Sequence, residues 1–151
     1  FLTEGSAGTL SAGLRDVISD AVEGWQGVGA AVENEFVCHV RTLSELQSLC
    51  SSASATFGAV LDPCNHHVAV GGDGLDDLTP ELVRLAVDVH VKDRKDDRYV
   101  PVGQGTLRWP LLLGRLRTLG YVGPITLESH LRGDREGIAE SVRALQRWGV
   151  R

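Results

Sequence analysis

Four residues able to bind a hard metal ion each close a short apolar run. Glu33 follows Gly29-Ala30-Ala31-Val32, and Asp62 follows Gly58-Ala59-Val60-Leu61. His90 ends Ala86-Val87-Asp88-Val89-His90, and Glu128 follows Gly123-Pro124-Ile125-Thr126-Leu127. Carboxylate oxygens with one imidazole suit Mn2+, Mg2+, Co2+ or Zn2+, and Mn2+ is the favoured ion. No cysteine joins the set, which argues against structural zinc. Two glutamates on opposite sides of such an ion can serve as base and acid for a proton on either of two adjacent carbons. The ion polarises the neighbouring carbonyl and hydroxyl and stabilises an enediolate. Glu33 and Glu128 are the candidates for that pair.

Residues so far apart in sequence need a scaffold that gathers them. The intervals between the four are 29, 28 and 38 residues, close to the length of one strand-helix unit. Short apolar runs of this kind read as buried parallel strands, whose carboxyl ends line up along one rim. Between them lie helix signals. Leu14, Val17, Ile18, Ala21, Val22 and Trp25 mark one face of an amphipathic helix. Thr42-Leu43-Ser44-Glu45 has the form of a capping box ahead of Leu46 and Leu49. Thr79-Pro80-Glu81 opens a short helix with Leu82, Val83 and Leu85. Lys92 to Thr106 reads as a polar, charged loop. Leu112, Leu116 and Leu119 stripe the next helix, and Ile138, Val142 and Leu145 stripe a last one capped by Asp134.

Alternating strands and helices define an α/β fold with a parallel sheet. An open sheet collects its ligand at one switch point, whereas a barrel draws functional residues from several strand ends. Four consecutive functional strand ends therefore favour a (β/α)8 TIM barrel. A complete barrel takes about 250 residues. The 151 residues supply four strands, and Phe1-Leu2-Thr3-Glu4 resembles the tail of a fifth. The expectation is a single domain over 1–151, the C-terminal portion of a barrel, about strands 4/5 to 8.

Composition narrows the partners. The chain is 42% hydrophobic and 23% charged, with a net charge of -5, and offers no electrostatic footprint for a nucleic-acid backbone. No apolar run is long enough to span a membrane, and no leader resembles a signal peptide. Cys38, Cys50 and Cys64 cannot all pair within the chain, so they read as thiols in a reducing, cytoplasmic setting.

The ordered set Glu33-Asn34, Leu61-Asp62-Pro63-Cys64-Asn65, His90-Val91-Lys92-Asp93, Gly103-Gln104-Gly105 and Leu127-Glu128-Ser129-His130 resembles xylose-isomerase-like TIM-barrel proteins. That superfamily includes sugar and sugar-phosphate isomerases and epimerases, inosose dehydratases and apurinic endonucleases. The resemblance implies that Glu33, Asp62, His90 and Glu128 are metal ligands and that Glu33 and Glu128 double as the proton-transfer pair. It places Asn65 at a substrate-side position that is often His in the epimerases. By the same resemblance, the endonuclease branch carries His there and Asn where Lys92 stands. These departures and the acidic charge argue against DNA.

Further candidates are weaker. Lys92 is expected to point away from His90 if the strand continues, yet at a loop mouth it could reach a substrate oxygen. His130 is a second candidate substrate contact. His39 reads as a loop histidine, and His66-His67 as a poor second metal site. Gly103-Gln104-Gly105 lacks the rest of a dinucleotide fingerprint, so no nucleotide cofactor is expected. The expected activity is a metal-dependent sugar or sugar-phosphate isomerase or epimerase acting on a small polyhydroxy substrate. An inosose-type dehydratase and a non-catalytic, self-associating barrel fragment are the alternatives.

Overall fold

The computed structural model describes residues 12–22, 29–51 and 57–151. The strand tail expected at Phe1-Leu2-Thr3-Glu4 and the helix position of Trp25 lie outside them. The elements run α1 (Ala12–Val22), β1 (Ala30–Glu33), α2 (Leu43–Cys50), β2 (Phe57–Leu61), α3 (Pro63–Val70), α4 (Pro80–Leu85) and β3 (Ala86–Val91). There follow β4 (Asp93–Lys95), β5 (Arg98–Val100), α5 (Trp109–Thr118), β6 (Ile125–Leu127) and α6 (Arg135–Arg147). Strands β1, β2, β3 and β6 form a parallel sheet in that order, each paired with the next. The α/β alternation with a parallel sheet is the expected one, and among the described residues β1 and β6 are its edges.

Strand alternation divides the sheet. Val32, Ala59, Leu61, Val89 and Val91 are fully buried and join a core with Leu43, Leu46 and Leu49 of α2 and Leu112, Leu113 and Leu116 of α5. The opposite set, one residue out of phase, carries Glu33, Asp88 and His90 on the other face. Between β2 and β3 the register slips, with Ala59 opposite Ala86 but Val60 opposite Asp88, which leaves Val87 as the extra residue of a bulge. Gly58 makes room for it, because a Cβ there would strike Val87 Cγ1.

Several helix signals hold. Thr42 and Glu45 form the reciprocal capping box of α2, and Thr79 caps α4 with Pro80 at its first turn. Asp134 caps α6 through Gly137 N–H at 2.9 Å. Four expectations need correcting. In α1, Ile18 and Val22 are buried but Val17 is 65% exposed, so the apolar face is narrower than the stripe implied. In α6, Ile138 and Val142 are partly exposed, and the buried face is Gly137, Ser141, Ala144 and Leu145. Ser141 belongs there because its hydroxyl accepts Val102 N–H at 3.0 Å and donates to Gly137 C=O at 2.8 Å. The loop expected from Lys92 to Thr106 contains an antiparallel ribbon, β4 with β5, turning at Asp96, whose φ is +53°. Helix α3 also stands where no helix was expected.

Candidate metal centre

The register shows how the sheet gathers its rim. Glu33 lies level with Val60, Val60 with Asp88, and His90 with Thr126. Asp62 and His90 therefore sit two residues further along than Glu33, and Glu128 two further again. In a flat sheet that four-residue stagger separates Glu33 from Glu128 along the strands by about 13 Å. Strands tilted as in a barrel, about 35–45°, recover roughly 10–14 Å over three inter-strand steps. Barrel shear thus converts the stagger into a common height. One ligand atom from each of Glu33, Asp62, His90 and Glu128 lies within 4.8 Å of the others.

Each side chain is held locally. The Asp62 carboxylate caps α3, accepting Asn65 N–H at 2.7 Å, and Pro63 occupies the first helical turn. Asn34 clamps the Asp62 backbone, donating to its carbonyl at 2.8 Å and accepting its N–H at 2.8 Å. His90 Nδ1 faces Glu33 Oε1 at 3.1 Å and Glu128 Oε2 at 3.6 Å. The two glutamates thus flank one imidazole nitrogen.

Lys92 does not point away from His90. Residues two apart on a strand share a face, so Lys92 enters the same cluster. Its side chain is 2% exposed, and the ammonium lies 2.8 Å from Asp62 Oδ2 and 2.6 Å from Glu128 Oε2. Asp62 Oδ2 accepts no hydrogen bond of regular geometry and is fully buried, so Lys92 meets it as an ion pair.

Electrostatics follow from this packing. Burial pushes the Asp62 carboxyl up to about 6, a rise limited by Lys92 and by the Asn65 N–H. The Glu128 and Glu33 carboxylates raise His90 to about 10. The His90 imidazole beside it, with help from Lys92, lowers Glu128 to about 2 despite partial burial. Burial opposes the charge on Lys92, but Asp62 and Glu128 outweigh it and hold the amine protonated.

The donor set fits a divalent ion. Ligands held about 2.1 Å from an octahedral ion stand about 3.0–4.2 Å apart, so donor atoms within 4.8 Å of one another need to close in only modestly to share one ion. Asp62 Oδ2, buried and met only by the Lys92 ammonium, is the atom for which such an ion would compete.

The remaining candidates are placed as follows. Asn65 is fully buried, its amide donating to Asn34 C=O at 2.9 Å and Glu35 Oε2 at 3.2 Å, with Glu33 Oε1 at 3.4 Å. His130, at φ +53°, lies 3.3 Å from Glu128 Oε1 and stacks on Tyr99 at 4.6 Å between centroids. His66 accepts Leu43 N–H at 3.2 Å and faces Asp77 at 3.5 Å. Cys38, Cys50 and Cys64 are buried with no disulfide among them.

Three polar residues carry roles that sequence reasoning passed over. Asn34 ties β1 to the Asp62 turn. Asp93 is fully buried and accepts N–H groups from Gly103, Gly105 and Leu107, which makes Gly103-Gln104-Gly105 a loop folded over a carboxylate. Asp88, two before His90, lies on the same strand face; alternation alone is the signal that could have found it.

The family model for the xylose isomerase-like TIM barrel matches residues 7–148, and the chain belongs to that family. A search of curated proteins finds no significant match. Among solved structures, the IolI protein with a bound zinc atom is 18% identical, with a TM-score of 0.73 over 98% of this chain and 60% of its own. The 3-keto-D-glucoside 4-epimerase YcjR of E. coli is 19% identical, with a TM-score of 0.67 over 92% of this chain and 56% of its own. A D-tagatose 3-epimerase-like protein is 20% identical, with a TM-score of 0.66 over 88% and 51%. The chain thus spans half to three fifths of these neighbours, and at such identities the likeness concerns the TIM-barrel fold. No helix among the described residues is long and apolar enough to cross a membrane.

Proposed function

We propose that the protein is a divalent-metal-dependent isomerase or epimerase of a small polyhydroxy carbonyl compound. One observation carries this reading: Glu33 and Glu128 approach the same imidazole nitrogen from two strands within a four-ligand cluster. Glu33, Asp62, His90 and Glu128 would hold the ion, with Mn2+ the favoured choice and Mg2+, Co2+ or Zn2+ able to replace it. The ion would supply polarisation of adjacent carbonyl and hydroxyl oxygens. Glu128, lowered to about 2, is ionised throughout the neutral range, the state a base needs to take a proton from carbon. Glu33 would return that proton to the neighbouring carbon or the opposite face. Asp62 and His90 orient the ion, and Lys92 offsets the negative charge of three carboxylates. His130, beside Glu128, and Asn65, beside Glu33, are the substrate contacts of this reading. A zinc-bound neighbour, a named epimerase and an epimerase-like protein of the same fold support it.

The test is exchange of carbon-bound hydrogen in D2O. Ketoses and aldoses incubated with the full protein and Mn2+ should gain deuterium at the carbon next to the carbonyl. Glu33→Gln and Glu128→Gln should each lower the rate about 10²- to 10⁴-fold. Exchange that persists in both variants would sink the proposal. A product lighter by one water would transfer it to a dehydratase.

A further inference from the structure

Asp88 is an acid on the barrel-facing side of β3, a position where apolar side chains normally fill the interior. Its side chain is only 23% exposed and occupies a defined place. Oδ1 accepts Val89 N–H at 2.7 Å, and Oδ2 accepts the Thr126 hydroxyl at 2.7 Å from the neighbouring strand. Thr126 is level with His90 in the ladder, so its hydroxyl aims Oδ2 at the imidazole. Oδ2 stands 3.8 Å from His90 Nε2, while Nδ1 turns to Glu33 and Glu128. The ring therefore lies between two sets of acids, one at each nitrogen.

Resting on the metal-site reading above, we propose that Asp88, braced by Thr126, is a positioning residue for His90. It holds the ring with Nε2 toward its own carboxylate and Nδ1 toward the place a divalent cation would take. The separation is an ion-pair distance rather than a hydrogen bond, so Asp88 acts through charge and needs Thr126 to hold its direction. A carboxylate at the far nitrogen of a ligating histidine fixes its tautomer and raises its basicity. A purely structural Asp88 would need Thr126 and Val89 but would be indifferent to what His90 binds.

The experiment is calorimetric titration of the purified full protein with Zn2+, alongside nitrogen-proton NMR of the His90 ring. Asp88→Ala should weaken Zn2+ binding about 10- to 100-fold and speed solvent exchange of the Nε2 proton. Asp88→Asn, which keeps the shape but removes the charge, should lose nearly as much. Thr126→Val, with Asp88 intact, should weaken binding by a smaller factor and covers the case in which Asp88→Ala does not fold. Zn2+ affinities within twofold of wild type in Asp88→Ala, or in Thr126→Val where Asp88→Ala does not fold, would overturn the role of Asp88 alone. No Zn2+ binding by the wild type would remove the metal reading along with it.

Discussion

Lys92 and Asp62 form an ion pair sealed from solvent, Nζ to Oδ2 at 2.8 Å with the two side chains 2% and 0% exposed. The pair sits inside the cluster that would receive a divalent ion. Two cations thus have a claim on one carboxylate. Removing one partner of such a pair leaves an uncompensated buried charge, which costs about 3–5 kcal/mol. Lys92→Met should therefore destabilise the metal-free protein by that amount in urea unfolding. Added Mn2+ should restore most of the loss, because the ion replaces the missing charge beside Asp62. A variant that unfolds like wild type without metal would contradict the pairing.

The pH dependence follows from His90, which the flanking carboxylates raise from 6.5 to about 10. A group raised on folding stabilises the native state fully below its unfolded value, and the contribution fades as pH climbs toward the folded value. Metal-free protein should thus lose stability from pH 6.5 upward, by at most about 1.4 kcal/mol per pH unit. The buried thiols Cys50 and Cys64 add their own alkaline loss only near 9.0 and above, where unfolded cysteine ionises. Between pH 6.5 and 9.0 the slope belongs to His90, and His90→Gln should flatten it in thermal melts. Metal binding requires the neutral ring, so Mn2+ affinity should rise over the same interval.

Asp93 and Gly105 make a steric prediction. Three loop N–H groups converge on the Asp93 carboxylate, and a Cβ on Gly105 would overlap that carboxylate and the Arg94 carbonyl. Gly105→Ala should cost about 1–3 kcal/mol by overpacking. Gly114→Ala, at a helical position with open space, should be neutral or mildly stabilising and serves as the control. Equal melting temperatures for the two variants would refute the loop anchor.

The sequence carried the rim more clearly than the elements around it. Four apolar runs with polar ends encode in a few adjacent residues both a strand and the side chain it carries to the rim, so the grouping of Glu33, Asp62, His90 and Glu128 was legible without tertiary information. Helix α3 was hidden because Pro63-Cys64-Asn65-His66-His67 lacks an apolar stripe; its first turn is buried by capping and by the polar contacts of Asn65 and His66. The ribbon β4–β5 was hidden by charge, since Arg94 packs over Tyr99 as a cation on a ring, 5.3 Å from its centroid, rather than as an apolar pair. Lys92 was misdirected by a wrong count of strand alternation. Asn34 and Asp88 act through partners 28 and 38 residues away, and single-sequence periodicity has no access to such pairings.

Asn34 gives the last prediction. Its amide satisfies both the N–H and the C=O of Asp62 across two strands, all within the buried interior. Those two bonds fix the point at which β2 ends and α3 begins, and hence the direction of the Asp62 carboxylate. Asn34→Asp is nearly isosteric but places an acceptor against the Asp62 carbonyl and adds a buried negative charge. It should cost more stability than Asn34→Ala, which leaves the Asp62 N–H unpaired at about 1–3 kcal/mol while the carbonyl keeps the His66 N–H at 3.1 Å. Both variants should bind Mn2+ more weakly than their loss of stability alone explains, because Asp62 loses its aim. The decisive comparison is Mn2+ affinity at a temperature where each variant is fully folded by circular dichroism. Unchanged affinity in folded Asn34→Ala would show that Asp62 is aimed by its helix cap alone.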